Sequence, residues 1–359
     1  MNIVYVIEDF SENGGVERIV SMKASLLASR YGHQVSLISV YHDERLEKYL
    51  LDERVKLYHL DVPFAKKTCG KVAIMLSRIR TLYLAVKRLN RLVDQLHPDA
   101  IFFATTLGVL LLPFCRTKAK KIFESHSSRL FTPYHKFFWL SEHSADAVVC
   151  LTKDDAQQYK HAKKVWVISN FISLPDKHVV NYGIKRTIAV GRLEYAKGFD
   201  LLIDMWTEIA KQCPDWQLDI YGEGSQHAIL QKQIDDSRLN KQIKLCGRSE
   251  RIMDVYPDYS LHVMPSRYEG QPMVMIEAQA CGLPSVAFDF QYGARDIIQD
   301  GVNGILVPQG DKNAFVEAVV RMMQSEQQRQ SMGQVAQKMS EQYSQEHIFG
   351  QWLKLLADK

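Results

Sequence analysis

Two carboxylates and two cations stand at glycine-punctuated turns of this chain. Glu269 and Glu277 are separated by seven residues within the stretch 265–284. Glu269 precedes Gly270 and Pro272 and so belongs to a loop. Glu277 follows in an apolar helical run with Met273, Ile276 and Ala280. A loop carboxylate and a helix carboxylate can then face one pocket at a helix N-terminus, where free backbone N–H groups suit a polyhydroxyl or phosphate ligand. The cations are Arg192 and Lys197, in the segment Val190 to Gly198. A strand ends at Gly191 and a helix begins at Phe199. Two cations beside a helix N-terminus make a diphosphate clamp that needs no metal. The alternative is two solvated cations on a surface loop.

A second glycine turn, Asn13-Gly14-Gly15-Val16-Glu17-Arg18, follows the first predicted strand. Its glycines allow positive φ and a close backbone approach as a helix starts. The pattern is not Gly-x-Gly-x-x-Gly, and no acidic residue follows strand two at the expected place, so a dinucleotide site is disfavoured and a tight βα turn is the alternative. Tyr221-Gly222-Glu223-Gly224-Ser225 repeats the order strand, glycine turn, helix. His126 ends a predicted strand in Phe123-Glu124-Ser125-His126-Ser127-Ser128, where α/β sheets place their ligands; a lone histidine is otherwise a structural residue. The sequence holds no Asp-x-Asp, no histidine cluster with ligand spacing, no Gly-x-Ser-x-Gly elbow and no Walker loop. A metal requirement is therefore not expected.

The elements that must position these residues alternate βα throughout. Strands are predicted at 3–8, 34–41, 55–60, 100–104, 120–125, 146–150 and 164–168, with helices at 15–30, 71–95, 106–115, 129–142 and 153–161. A second series has strands at 187–191, 216–221, 242–246, 260–264, 285–288 and 304–307, with helices at 198–211, 225–237, 271–281 and 311–323. The tail 326–359 reads as helical. Such alternation predicts an α/β fold of parallel sheets covered on both faces, here two Rossmann-like βαβ domains in tandem. The boundaries expected are 1–170 for the first domain, a polar linker at 171–184, and 185–340 for the second. A substrate pair would then bind where the C-terminal strand ends of the two domains face each other.

Length and composition agree. The chain has 359 residues, 46% hydrophobic and 24% charged, a globular balance suited to two domains. Met1 to Ile7 lacks a basic n-region and cleavage site and reads as a buried strand rather than a signal peptide. The apolar run Leu107 to Phe114 is too short to span a bilayer. The scattered cysteines Cys69, Cys115, Cys150, Cys213, Cys246 and Cys281 suit buried thiols in a reducing cytosol. Residues 1–170 carry 25 Lys and Arg against 17 Asp and Glu, a net +8, while residues 171–359 are net −4. Within 62–91 there are eight basic side chains and no acidic one. Arg80, Lys87 and Arg91 share one face of the predicted helix 71–95, opposite an apolar stripe. Such an element can lie on an anionic leaflet; alternatively the stripe is core and the cations are a solvated face. Tyr134 to Leu140 adds an aromatic-basic patch of His135, Lys136, Phe137, Phe138 and Trp139. The expected place is the cytoplasm, with peripheral attachment to the inner membrane face. No nucleic-acid-binding module is visible.

The spacing of Glu269 and Glu277 resembles the Glu-x7-Glu motif of group 1 retaining glycosyltransferases of the GT-B fold. Gly-Arg-Leu-x-x-x-Lys-Gly at 191–198 is similar to the same family's phosphate-binding motif, and stretch 260–307 resembles bacterial enzymes that extend surface polysaccharides and lipid-linked glycans. The resemblance implies two Rossmann-like domains about a central cleft, with residues 341–359 crossing back onto the first, acceptor-side domain. It implies a nucleotide-sugar donor, UDP-linked in preference to GDP-linked, a hexose or N-acetylhexosamine as the transferred sugar, and a glycan or lipid-linked acceptor. By resemblance, Arg192 and Lys197 hold the donor phosphates, with Gly191 at the strand end. Gly14, Gly15 and Arg18 lie near the donor phosphate and acceptor. Gly222, Gly247 and Arg248 shape the nucleotide pocket, Arg248 stacking on or capping the base unless it is a surface arginine. Glu277 accepts from the ribose, Glu269 holds the sugar, and His126 meets its opposite side. Gly270, Gln271 and Pro272 to Val274 line the sugar, the backbone N–H groups at 272–274 facing it; Gln271 fills a position often Phe or Ser and bears on which hydroxyl is read. Asn170 matches the family's turn, from which Ser169 and Phe171 depart. No cofactor is implied. Two other enzyme readings are a nucleotide-sugar epimerase of the same fold and a GDP-mannose-type transferase; a third is a non-catalytic glycan- or nucleotide-binding protein.

Overall fold

The computed structural model describes residues 1–12, 14–41, 48–64, 71–126, 129, 134–175 and 180–358. Asn13, Cys69, Ser127 and Ser128 lie outside the described residues, as do residues 130–133 of the predicted helix 129–142. The chain divides into two compact units, one of Met1–Leu151, Asp155–Ile168 and Leu355–Lys359, the other of Thr152–Asp154 and Ser169–Lys354.

The first unit is built on seven parallel strands: β1 (Asn2–Asp9), β2 (Gln34–Tyr41), β3 (Val55–His59), β4 (Ala100–Phe103), β5 (Lys120–Ser125), β6 (Ala147–Cys150) and β7 (Val165–Val167). Their order is β3-β2-β1-β4-β5-β6-β7, which reverses between β1 and β4. Runs such as Ile3 to Ile7 and Ala100 to Ala104 are buried on both sides, as expected of a parallel sheet covered by helices. Those helices include α1 (Gly15–Ser29), α2 (Lys71–Leu96), α3 (Gly108–Leu111) and α4 (Phe138–Ser144). The second unit has six parallel strands: β8 (Arg186–Val190), β9 (Gln217–Tyr221), β10 (Ile243–Gly247), β11 (Leu261–Met264), β12 (Ser285–Phe288) and β13 (Gly304–Val307), ordered β10-β9-β8-β11-β12-β13. Its order reverses between β8 and β11. Helix α5 (Lys153–Ala156) is split by the division into units. The second unit's helices include α6 (Phe199–Gln212), α7 (His227–Asp236), α8 (Ile252–Val255), α9 (Met273–Ala280), α10 (Ala294–Ile297), α11 (Lys312–Gln324), α12 (Glu326–Ser340) and most of α13 (Gln345–Ala357).

All thirteen predicted strands are present, and the helices differ in extent. The predicted 106–115 helix is α for one turn and then a tight 3-10 turn at Leu112–Phe114, because Pro113 has no N–H to continue the α pattern. The predicted 153–161 helix stops at Ala156 and goes on as successive turns, with Gln158 and Tyr159 donating to the carbonyls of Asp155 and Ala156. The four-residue helices α8 and α10 are too short to carry a period in the sequence.

Helix α2 departs from the simple amphipathic expectation. Its residues Thr81, Ala85, Leu89 and Val93 are buried, with the cations Arg80, Lys87 and Arg91 exposed. A further apolar row, Val72, Met75, Leu76, Ile79 and Tyr83, follows helical spacing yet is exposed, each residue by more than half. In the aromatic segment, Phe137 and Trp139 are exposed as expected, but Phe138 is core: it packs edge-to-face on Phe123 at 5.6 Å.

Candidate functional site

In the second unit the marked residues gather at the C-terminal ends of β8, β9, β10 and β11, on both sides of the strand-order reversal where open α/β sheets bind ligands. Backbone contacts hold these loops together. Gly191 N–H donates to Tyr221, Leu193 to Glu223 and Gly222 to Gly247, at 2.8–2.9 Å. Gly222 is obligatory here, since its φ is 151° and a Cβ would sit 1.8 Å from the Gly191 carbonyl oxygen. The Glu194 carboxylate accepts from the Ser225 N–H and hydroxyl at 2.9 and 2.8 Å, bonds that hold its pKa below the usual range. Gly247 has φ 72° with open space around it, and Arg248 beside it is exposed.

Gly198, at φ 68°, brings the β8–α6 turn against the loop after β11, where a Cβ would meet the Pro265 carbonyl at 2.1 Å. Arg267 locks this contact. Its guanidinium grips both Asp200 oxygens at 2.7 and 2.6 Å and lies 3.9 Å from the Tyr195 ring centroid. The outcome is that Lys197 and Glu269 meet. Lys197 Nζ is 2.7 and 2.8 Å from the two Glu269 oxygens, both side chains largely buried, and the Ser266 hydroxyl donates to the same carboxylate at 2.8 Å. Gly191 makes room for the lysine stem, since a Cβ there would lie 3.3 Å from it. Residues expected to hold phosphate and sugar separately are thus joined into one ion pair. Arg192 is exposed. Glu277, half-buried on α9, lies close enough to Tyr256 and Cys281 to raise the pKa of both, behind the larger effect of burial.

Three expectations for the α9 entrance need correction. Gln271 does not reach out to a ligand: its Oε1 accepts the Asn170 N–H at 3.0 Å and its amide nitrogen bonds the Ser169 hydroxyl. It fastens the 169–170 turn to the loop before α9, so Ser169, a departure from the family turn, has its partner in Gln271. Pro272 carries no N–H, and the Met273 N–H already donates to the Gln271 carbonyl at 2.9 Å. Of the 272–274 backbone, Val274 is left to present an N–H at the helix start. Gly270 sits half-buried in the same loop.

In the first unit, Gly14 caps α1 at φ −107°, and neither it nor Gly15 adopts positive φ. The Glu17 carboxylate folds back over Gly14, 2.0 Å from where a Cβ would be. Glu17 thereby brings its own anion to the helix N-terminus expected to hold phosphate. Gly15 has nothing within 4 Å of a Cβ, and Arg18 is exposed. His126 follows the C-terminal end of β5, as expected, and borders a cavity of about 280 Å³ with Glu8, Glu12, Glu17, Thr105 and Glu124. Burial and mutual repulsion raise the pKa values of Glu8 and Glu17. His126 Nε2 is 2.9 Å from Glu124 Oε2, which also pairs with Lys23 Nζ at 2.5 Å.

Sequence reasoning assigned no role to Lys23 or to the Arg267–Asp200 pair. A signal for the first exists: a lysine in the apolar face of a predicted helix and a glutamate in a predicted buried strand are opposite charges with nowhere else to go. Among the described residues, no group of three or more His, Cys, Asp or Glu side chains is arranged to hold a metal, and no helix is long and apolar enough to cross a membrane.

The comparisons with known proteins bear on what these loops belong to. Residues 172–339 match the model of glycosyl transferases group 1, and residues 13–175 match that of glycosyltransferase family 4. The chain is 27% identical over 368 residues to an uncharacterized glycosyltransferase of Haemophilus influenzae, covering 99% of each chain. It is 28% identical over 371 residues, again covering 99% of each, to the amylovoran biosynthesis glycosyltransferase AmsD of Erwinia amylovora. A structure of S. aureus TarM, solved as a mutant with fondaparinux, α-GlcNAc-glycerol and UDP, superimposes with a TM-score of 0.80 at 17% identity over 99% of both chains. That likeness shows a shared fold of two Rossmann-like units, the GT-B class. One model covers the sheet that carries Lys197 and Glu269 and another the sheet that carries His126: the second half of the chain belongs to the glycosyl transferases group 1, and the first half to glycosyltransferase family 4.

Proposed function

We propose that this chain transfers a hexose or N-acetylhexosamine from a nucleotide sugar, UDP-linked in preference to GDP-linked, to a glycan acceptor, with retention of anomeric configuration and without a metal. The observation that carries the reading is the Lys197–Glu269 pair at the switch point of the second sheet, with Arg192 on the same loop. As the donor's anomeric bond breaks, charge builds on the departing diphosphate. Preorganised cations stabilise that charge more than they stabilise the bound donor, so they lower the barrier. Arg192 and Lys197 supply them, Glu269 holds the Lys197 ammonium in place and accepts from sugar hydroxyls, and Glu277 accepts from the ribose. On the first unit, His126 is a sugar contact, and Gly14, Gly15 and Arg18 are contacts of the donor phosphate and acceptor. Attack comes from the face the phosphate leaves, and the departing phosphate oxygen takes the acceptor's proton, so no side chain serves as general base. The UDP in the TarM structure and the polysaccharide named for AmsD support a UDP-sugar and a surface-polysaccharide precursor.

The acceptor reading extends to a lipid-linked glycan on an anionic leaflet. The support is the exposed row Val72, Met75, Leu76, Ile79 and Tyr83 together with exposed Arg80, Lys87 and Arg91 on the same helix. Salt-sensitive co-sedimentation with anionic vesicles is expected; none would remove the membrane from the account.

The test of the donor is a thermal-shift screen of UDP- and GDP-sugars in EDTA. A ligand at a hundred times its Kd stabilises the native state by about 2.7 kcal/mol. The stabilising sugar is then supplied with glycan acceptors, and the product linkage is read by NMR. Release of free nucleotide with a retained anomer is expected. No shift with any nucleotide sugar, or interconversion of the donor without transfer, overturns the reading.

A further inference from the structure

The first unit contains a line of three titratable side chains that the transfer scheme leaves without a task beyond His126 itself. Glu124 sits in β5, 3% exposed, and Lys23 projects from α1, 2% exposed. A buried carboxylate is costly unless it is paired and hydrogen-bonded. Both conditions are met at one atom: Glu124 Oε2 is 2.5 Å from Lys23 Nζ and 2.9 Å from His126 Nε2. Burial alone would push the Glu124 carboxyl up, but Lys23 and His126 together pull it below its ordinary value. Burial pushes Lys23 down, and Glu124 counters part of that effect.

An ionised carboxylate only accepts hydrogen bonds. The imidazole nitrogen in contact with it must therefore carry a hydrogen, which makes Nε2 the donor. In a neutral ring the other nitrogen, Nδ1, is then an acceptor. Lys23 matters because it balances the charge of Glu124. The cavity beside His126 is lined by the carboxylates of Glu8, Glu12 and Glu17 and by Thr105. Acceptor groups of this kind recognise hydroxyl hydrogens, and a neutral Nδ1 adds one more.

We propose that Lys23 and Glu124 are positioning residues that hold His126 as its Nε2–H tautomer, so that Nδ1 accepts a hydroxyl hydrogen of the sugar bound at the first-unit cavity. This rests on the reading of His126 as a sugar contact, and it adds two residues and a defined ring state to that contact.

The experiment uses the full chain labelled with 15N-histidine, with His126 assigned by the His126→Gln variant. At pH 8, above the ordinary imidazole range, the long-range 1H–15N spectrum of the wild type should show a protonated Nε2 and a bare Nδ1. In Glu124→Gln the carboxamide can donate to Nε2, and the pattern should reverse or average. In Lys23→Met, which removes the second partner holding Glu124 Oε2 in place, the Nε2–H pattern should weaken or average. Transfer by Glu124→Gln should fall about tenfold to a hundredfold in kcat/KM, the size seen when an orienting partner is lost. An Nδ1–H or doubly protonated ring in the wild type overturns the proposal, as does an unchanged His126 pattern in a folded Glu124→Gln. The wild-type spectrum needs neither variant nor turnover. A wild type with the Nε2–H ring but no transferase activity would overturn the proposed function and leave the ring state standing.

Discussion

The two sheets place their candidate sites at equivalent points and fill them with different charges. At the reversal of the first sheet, a cavity is lined by Glu8, Glu12, Glu17 and Glu124 with one histidine. At the reversal of the second, the β8 loop carries Arg192 and Lys197, with Glu269 locked onto the lysine. Bulk charge runs the other way, since residues 1–170 are net positive and residues 171–359 net negative. The site chemistry is therefore set by which side chains the strand ends carry, not by the charge of the domain. The difference suits the tasks proposed for them: carboxylates and an imidazole that accept from hydroxyls, and cations that neutralise a departing diphosphate.

Each side of that contrast can be broken separately. The largest effect is expected in the first unit. Lys23→Ala strands Glu124 in the core and should cost about 3–5 kcal/mol of stability, whereas the double variant Lys23→Met/Glu124→Leu should recover most of it; chemical unfolding measures both. In the second unit, Lys197→Ala should lower the transfer rate by about a hundredfold to a thousandfold, with the circular dichroism spectrum unchanged. Activity near the wild-type level would remove the clamp. A control that touches neither Lys197 nor Glu124 is His262, buried in β11 with its Nδ1 3.0 Å from the Ser285 hydroxyl and its pKa pushed down by burial to about 3. The unfolded chain takes up a proton there near pH 6.5 and the folded chain does not, so stability is full above that pH and is lost as pH falls. Between pH 7 and 5 the loss should be about 2 kcal/mol, and His262→Gln should flatten this part of the urea-unfolding profile without altering either site. The smallest effect is Glu277→Ala, which removes one charged hydrogen-bond acceptor and should weaken UDP binding roughly tenfold by calorimetry. Unchanged affinity would deny it the ribose contact.

Much of this was readable before the fold was in view. The strand runs and the glycine turns at 191, 198 and 222 declare themselves locally, because β-branched runs and turn glycines are short-range features. The residue types at Glu269 and Lys197 were legible in the same way. Their pairing was not, since 72 residues separate them and their meeting depends on Gly198 packing against the Pro265 carbonyl and on Arg267 gripping Asp200. Gln271 was misread for a related reason: a polar side chain in a signature looks ligand-directed until its tertiary partners at 169 and 170 are seen. The exposed row on α2 escaped because helical periodicity reports an apolar face without saying whether anything covers it.

The measurement that bears most directly on the central claim is a calorimetric titration of UDP into the wild type and into an Arg192→Ala/Lys197→Ala variant, both in EDTA. The account predicts that the wild type binds without a divalent metal and that the folded variant binds at least tenfold more weakly. Wild-type binding that appears only when Mg²⁺ is restored, or a variant of equal affinity, would contradict it.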